Sequence, residues 1–382
     1  MQIPKDISEI HDRFKKSGKD LYLVGGCVRD FKLGLEPKDF DMATNAYPEE
    51  IEHILEGFRF DLTGKNFGVM RVYTEESPKG YEIATYREDE TVGRKPKVKV
   101  GSTIQNDANR RDITINALYY DIDKKEIIDL VDGTKDLESK TIRACGNPIN
   151  RISEDALRIL RAVRFKNIIG GELESELSKA ILANPVLECP DDEGNVVPIA
   201  QERISEEFLK GMEKSMNVKT YVQDLYKYQL LGQVFRNMHL NENHMSSKNP
   251  TIMIADIVRF NTNLKDVYKK LVDDCKFTKK LAEGVVFLLS VEEIDEDKAY
   301  MLRKRMSKTD LTMSDVLDYG NLMTEYGFYH ARMKFLKAFT QYEITTSGDE
   351  LKEKEGFTDG PELGAEIEKR ERNNFLSIYN NF

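Results

Sequence analysis

Two aspartates one residue apart, Asp39 and Asp41, follow a glycine pair, Gly25 and Gly26, in the stretch LYLVGGCVRDFKLGLEPKDFDMAT. In an extended segment alternate side chains share a face, so Asp39 and Asp41 point the same way while Phe40 turns into the core. Two carboxylates on one face repel unless a cation lies between them. Hard oxygen donors of this kind suit Mg²⁺, which takes one or two carboxylates and completes its shell with water and substrate phosphate. Gly25 and Gly26, lacking Cβ atoms, let backbone N–H groups approach a polyphosphate where a helix begins, and Arg29 follows in that helix. Either half alone is an ordinary turn or strand end. Together, in this order, they imply metal-assisted chemistry on a nucleoside triphosphate.

The elements that must position these groups are legible around them. Leu21 to Val24 reads as a strand, and the residues before Lys19 as a helix with Ile7, Ile10 and Phe14 at helical spacing. Asn45 to Pro48 reads as a capped helix start that continues to Leu55. Phe67 to Thr74 and Tyr81 to Tyr86 alternate like two antiparallel strands joined by Ser77-Pro78-Lys79-Gly80. The polar, basic segment from Glu88 to Asn106 reads as a mobile loop. In NRRDITINALYYDI, a helix beginning near Asp107 would bring Arg111, Asp112 and Asn116 together within about one turn. Arg111 can bind triphosphate oxygens, and Asp112 can accept a hydrogen bond from a ribose hydroxyl. Gly133 and Asp136 read as turn and helix-cap residues, and Arg143 as a strand-end cation. A catalytic role for Asp132 or Asp136 is not expected.

Asn150 to Phe165 is patterned as one helix, with Ser153 as N-cap and Leu157, Leu160 and Val163 as its apolar stripe. Asp155, Arg158 and Arg161 fall at spacings of three along one side, a spacing that by itself is usually a salt-bridged face. Beyond Phe165 the pattern stays helical. Lys269-Lys270, Lys279-Lys280 and Arg303-Lys304-Arg305 are candidate phosphate contacts, although solvated helix faces are the ordinary reading of each.

A chain of 382 residues exceeds the usual size of one core, so two or more domains are expected. With 40% apolar and 32% charged residues and no long apolar run, it reads as a soluble protein with no membrane span. Its first twenty residues lack the features of a signal or transit peptide, so a cytoplasmic location is expected. Cys27, Cys145, Cys189 and Cys275 are far apart and read as small buried hydrophobes. The net charge of −10 argues against indiscriminate coating of nucleic acid, but leaves room for a local basic face.

G-G-x-V-R-D followed by D-x-D-x-A-T resembles the opening motif of the class II tRNA nucleotidyltransferases (CCA-adding enzymes). It is shared by their relatives, the bacterial poly(A) polymerases, within the polymerase beta-type superfamily. NRRDITINA is similar to the second family motif, R-R-D-x-x-x-N-A, and IIDLVDGTKDLESKTIR to the third. The resemblance implies an α/β nucleotidyltransferase (polymerase beta-like) head at residues 1–145. It also implies an all-α neck at 146–215 with the nucleobase-reading motif, and a helical body and tail at 216–382 that bind tRNA. EIATYR is similar to the family's E-x-T-T-x-R, which makes Glu82 an accessory catalytic carboxylate beside Asp39 and Asp41; a structural salt bridge from Glu82 to Arg87 is the alternative. Arg94-Lys95-Pro96 resembles the R-R-P of a flexible family loop.

The run E-D-x-x-R at residues 154–158 looks like the motif with which these enzymes read the incoming base, and its place directly after the other motifs favours that role. Asp155 and Arg158 then form the specificity pair, supported by Arg161. The physics is consistent: cytosine and adenine each present an amine donor beside a ring-nitrogen acceptor, whereas uracil and guanine present a carbonyl beside an N–H. A carboxylate next to a guanidinium fits the first two and leaves the others with opposed groups.

The activity implied is template-independent addition of CCA to the 3′ end of tRNA from CTP and ATP, with pyrophosphate released by two-metal Mg²⁺ catalysis. The nucleotide-binding set is Gly25, Gly26, Arg29, Arg111, Asp112, Asn116, Asp155, Arg158 and Arg161, and the metal set Asp39 and Asp41. The alternatives are a poly(A) polymerase, an enzyme adding only part of CCA, and a catalytically silent RNA-binding protein of the same fold.

Overall fold

The computed structural model describes residues 2–37, 39–89, 98–191, 193–242, 247–291, 298–325 and 333–382. It divides into two compact units, Met1–Ala200 and Gln201–Phe382. The head–neck boundary read at 145 therefore lies inside the first unit. The boundary read at 215 falls just after the first helix of the second, Gln201–Lys214.

The first unit is built on a seven-stranded mixed sheet. Its early elements are α1 (Lys5–Lys16), β1 (Leu21–Val24), α2 (Gly26–Lys32), β2 (Asp41–Thr44), α3 (Pro48–Ile54), β3 (Arg59–Asp61), β4 (Val69–Tyr73) and β5 (Tyr81–Thr85). Next come β6 (Arg87–Asp89), β7 (Val98–Val100), α4 (Ile104–Asn109), β8 (Leu118–Asp121), β9 (Glu126–Asp129) and α5 (Gly133–Glu138). The sheet runs β3-β4-β5-β2-β1-β8-β9, and only the β2–β5 pair is parallel.

Strand β1 has neighbours on both edges, and Leu21, Leu23 and Val24 are all buried, which is why it reads as an apolar run rather than an alternation. Strand β5 alternates instead, with Tyr81, Ile83 and Thr85 buried and Glu82 half-buried between them. Helix α1 buries Ile7, Ile10 and Phe14, as its spacing predicts. Helix α3 starts as expected too, with Pro48 in its first turn and the Tyr47 amide donating to Glu50 Oε2 at 2.9 Å.

Five local expectations fail. The neck read as all-α also carries short strands at Glu172–Leu173, Glu188–Pro190 and Val196–Pro198. The segment read as a mobile loop over Glu88 to Asn106 contains β7, paired with β6, and the start of α4. The helix expected from Asp107 onward is α4, capped by Thr103 and ending at Asn109, so Arg111 and Asp112 lie beyond it. Arg111 and Asp112 lead instead into a bridge between Ile113 and Ala144 and a single 3₁₀ turn at Thr114–Asn116. The helix expected over Asn150 to Phe165 is two helices, α6 (Pro148–Glu154) and α7 (Leu157–Ile169), because Asp155 is extended, with φ −156° and ψ 100°. Asn147, not Ser153, caps the first of them. Finally, the turn into α5 is held by Asp129, whose carboxylate accepts from the amides of Val131, Gly133 and Thr134. Asp136 accepts instead from Thr114 Oγ1 at 2.7 Å and pairs with Arg143 at 3.0 Å, a structural role.

The second unit is helical from Gln201–Lys214 to Pro361–Tyr379. Its core holds two aromatic groups, Phe208 with Tyr221, Phe235 and Phe277, and Phe335 with Phe339 and Phe375. Of its basic runs, Lys270 pairs with Asp266 at 2.9 Å and Lys280 pairs with Asp310. Arg303 lies over Phe339. Among the described residues no helix is long and apolar enough to cross a membrane.

Candidate active site

Sheet register assembles the floor of the site. Asp41 pairs with Val24, and Val24 with Tyr119 on its other side, so the three residues form one row across β2, β1 and β8. Met42 pairs with Ile83 in the parallel direction, which sets Asp41 beside Glu82 one residue earlier. Directly paired residues project from the same face, so Asp41, Glu82 and Tyr119 share a side of the sheet. The Asp41 carboxyl is pushed up to about 6: the surrounding protein withholds water from it, and the charges of Glu82 and Asp39 act in the same sense, against Arg111 and Arg71. The residue nonetheless keeps an open edge to solvent, so its carboxylate stays within reach of a ligand.

Asp39 lies exposed just before β2 begins. Phe40 is only half-buried and lines an open pocket with Phe31, Leu35 and Pro37, so it does not enter the core as expected. Glu82 pairs with Arg71 of the neighbouring strand, not with Arg87; Arg87 Nη1 donates to the carbonyl of Phe67 at 2.7 Å. Glu82 is thus close enough to charge Asp41 while its own carboxylate is neutralised from the far side. Arg94-Lys95-Pro96 lies outside the described residues.

Gly25 adopts φ +80°, a conformation that favours glycine, and turns the chain from β1 into α2. Its amide is committed to the Leu118 carbonyl at 3.0 Å, so Gly25 contributes an open surface rather than a free donor. A Cβ there would sit 3.7 Å from Arg111 Nη1, and one on Gly26 would sit 3.7 Å from Arg29 Nη2. The turn therefore faces two guanidinium groups. Arg29 is buried; it donates to Asn116 Oδ1 at 2.6 Å, binds Asp30, and lies over the Phe165 ring at 5.1 Å.

Arg111 reaches the turn by a different route from the one the sequence implied. Its Nη2 donates to Asp107 Oδ2 at 3.1 Å and its Nε to Tyr119 at 3.4 Å. Asp112 accepts from Arg161 Nε at 2.7 Å. Burial opposes the charge on Asp112, but the Arg161 charge and hydrogen bond win, and its carboxyl is held below the usual range. The break between α6 and α7 then decides how the remaining groups are presented. Asp155 Oδ1 accepts from the Leu157 amide at 3.1 Å and so caps α7. Arg158 pairs with Glu154 and donates to the Arg151 carbonyl at 2.9 Å. Arg151 binds the other oxygen of Glu154 at 2.6 Å.

The structure therefore gathers Gly25, Gly26, Arg29, Arg111 and Asn116 around one turn, and joins Asp112 to Arg161 on α7. Sequence reasoning gave no role to Asp107, Tyr119 or Phe165, and took Glu154 only as the first residue of E-D-x-x-R. The signals were present: Asp107 stands four residues before Arg111, and Glu154 four before Arg158.

Among the described residues no three His, Cys, Asp or Glu side chains are grouped so as to hold a metal ion. Asp39 and Asp41 would supply a two-carboxylate donor set, and the repulsion from Glu82 and Asp39, which adds to burial in raising Asp41, is what a divalent cation would relieve. That chemistry fits Mg²⁺. The four cysteines are buried, and burial pushes the Cys27 thiol up to about 12, which leaves it unreactive beside Asp41.

Residues 21–143 match the poly A polymerase head domain. The CCA-adding enzyme of Ligilactobacillus salivarius is 41% identical over 226 residues, 57% of this chain and 53% of that protein. Poly(A) polymerase I of Haemophilus influenzae is 34% identical over 248 residues, 61% of this chain and 52% of that protein. The chain spans about half the length of the curated relatives it matches. The fold is that of solved CCA-adding enzymes. The Bacillus stearothermophilus enzyme in complex with CTP gives a TM-score of 0.71 at 23% identity, over 99% of this chain and 94% of that one. The Thermotoga maritima enzyme complexed with tRNA gives 0.64 at 17%, over 99% and 95%. Residues 21–143 thus carry a poly A polymerase head domain, in a chain similar to both the CCA-adding enzymes and the poly(A) polymerases.

Proposed function

We propose that this chain is a template-independent RNA nucleotidyltransferase that adds CCA to the 3′ end of tRNA, using CTP and ATP and releasing pyrophosphate. The observation that carries the reading is the 2.7 Å ion pair between Asp112 and Arg161. It joins α7, which carries Arg158 and is preceded by Asp155, to the segment carrying Arg111. A base reader and a phosphate binder must act on one nucleotide, and this pair fixes their separation. Support also comes from neighbours in fold whose structures hold CTP, ATP or tRNA.

In this reading the triphosphate lies against the Gly25–Gly26 turn, where the absent side chain allows close approach and Arg111 or Arg29 balances charge as pyrophosphate leaves. Asp112 accepts a hydrogen bond from the ribose. Asp155 and Arg158 meet the pairing edge of cytosine or adenine, with Arg161 in support. Presenting Arg158 to a base requires it to give up Glu154 or the Arg151 carbonyl in part. Asp39 and Asp41 would hold Mg²⁺, which supplies activation of the RNA 3′-hydroxyl and neutralisation of the phosphates. Glu82 acts on Asp41 through its charge. Residues 1–145, 146–215 and 216–382 then serve as catalytic head, neck, and tRNA-binding body and tail, in a cytoplasmic enzyme.

The second reading, poly(A) addition, is favoured by the 34% identity to poly(A) polymerase I. Sequencing the 3′ ends made from truncated tRNA with all four triphosphates separates them. Ends of C-C-A are expected. An A tract would select the second reading, C-C or A alone a partial enzyme, and unextended ends would leave a silent binding protein.

A further inference from the structure

Asp107 is 1% exposed, yet it receives hydrogen bonds from four residues. Tyr119 donates to its Oδ2 at 2.5 Å and Arg111 Nη2 to the same oxygen at 3.1 Å. Arg110 donates to Oδ1 through Nε at 3.0 Å and Nη2 at 2.7 Å, and the Arg87 amide approaches Oδ1 at 3.4 Å. Tyr119 is itself fully buried, and it closes the triangle by accepting from Arg111 Nε at 3.4 Å. Two of the three nitrogens of Arg111 are thus committed. The third, Nη1, is the one that lies 3.7 Å from where a Gly25 Cβ would be.

From this geometry we infer that Asp107, with Tyr119, is a positioning residue that aims the free end of Arg111 at the phosphate-binding turn. The inference rests on the proposed reading of Arg111 as a triphosphate ligand, and supplies the part that reading lacks: why a long, flexible cation points at one place. A guanidinium held by a buried carboxylate through one edge keeps its plane and its remaining donors fixed, so little freedom is lost when phosphate arrives. The same carboxylate balances the charge of Arg111 while the site is empty, and Tyr119 stands in the sheet row that also contains Asp41. Asp107 touches neither phosphate nor base in this arrangement. Its effect should therefore depend on the number of phosphates in the ligand, which separates positioning from general support of the fold.

The test is calorimetric titration of CTP and CMP into the full chain and its variants. Asp107→Asn keeps shape and an acceptor but removes the charge, and should weaken CTP binding about 10- to 100-fold, as expected for a lost charge-assisted hydrogen bond. Its CMP affinity should change less than about twofold. Tyr119→Phe, which removes only the hydroxyl, should weaken CTP about threefold and leave CMP unchanged. Equal losses for CTP and CMP, or wild-type CTP affinity in both variants, would overturn the inference. Should Asp107→Asn fail to fold, Tyr119→Phe decides alone: a CTP-selective loss supports the inference and none refutes it. Arg111→Ala distinguishes the two levels. If it weakens CTP while Asp107→Asn and Tyr119→Phe do not, only the positioning role fails. If the wild-type chain does not prefer CTP to CMP and Arg111→Ala changes nothing, the reading of Arg111 falls and the inference falls with it.

Discussion

The sheet floor and the arginine-rich rim of the same unit handle charge in opposite ways. On the floor Glu82 is paired with Arg71, but among the described residues no lysine or arginine forms an ion pair with Asp39 or Asp41, and Asp41 is raised to about 6. On the rim each guanidinium is tied down: Arg29 to Asp30 and Asn116, Arg111 to Asp107, Arg158 to Glu154, Arg161 to Asp112. The Phe165 ring gathers three of the rim's cations, Arg29, Arg161 and Arg164, at 5.1, 5.6 and 4.2 Å. Uncompensated like charge costs stability and persists where a ligand completes the site. Compensated charge fixes geometry in advance.

The contrast can be broken from either side. Asp41→Asn should have the largest effect, lowering nucleotide incorporation by about a thousandfold or more without lowering the thermal transition, since it removes a proposed metal ligand from an exposed strand end. Steady-state incorporation and a melting curve on one preparation check both halves. Asp155→Ala on the rim should spare most of the rate with CTP but reduce the preference for C and A over U and G by about 10- to 100-fold, measured as the ratio of kcat/KM values. If it abolished the rate and left the preference intact, floor and rim would have exchanged roles.

The raised Asp41 also gives a pH dependence of definite sign. A divalent ion needs the ionised carboxylate, so affinity for Mn²⁺ or Mg²⁺ should rise as pH passes through about 6. In the metal-free protein the sign reverses. Between the ordinary aspartate range near pH 4 and about 6 the folded chain binds more protons than the unfolded one, so stability falls as pH rises across that window. Asp41→Asn should flatten that slope, and denaturant midpoints at pH 4.5 and 7 would register it. Glu82→Gln should have the smallest effect. Removing a like charge lets Asp41 ionise more easily, so the midpoint for metal binding should move down by a fraction of a pH unit, with kcat changed only a few-fold. A loss as large as that of Asp41→Asn would make Glu82 a ligand after all.

How far the sequence could be read follows the same division. Much of the floor was legible because strand periodicity is local: an apolar strand, a glycine turn and a second strand were readable, and β4 and β5 could be paired from their alternation, whereas the row that sets Asp41 beside Glu82 and Tyr119 joins strands distant in sequence, and Phe40 stays half-buried. The rim was not, because its geometry depends on where helices stop. Asp155 leaves the helix in order to cap the next one, and nothing in Asn150 to Phe165 interrupts the helical pattern at that point. Likewise α4 ends before Arg111, since Ile113 is drawn into a bridge with Ala144, a partner thirty-one residues away. Asp107 was passed over for a related reason: its spacing from Arg111 was readable, but its buried contact with Tyr119, which joins helix α4 to strand β8, was not.

A crystal of the full chain soaked with CTP and Mn²⁺ puts the proposed carboxylate pair to the test in a single anomalous map. The expected result is a Mn²⁺ peak within coordination distance of carboxylate oxygens of both Asp39 and Asp41, with the triphosphate running toward the Gly25–Gly26 turn and Arg111. A peak remote from those two residues, or a nucleotide bound elsewhere with the turn empty, would contradict it.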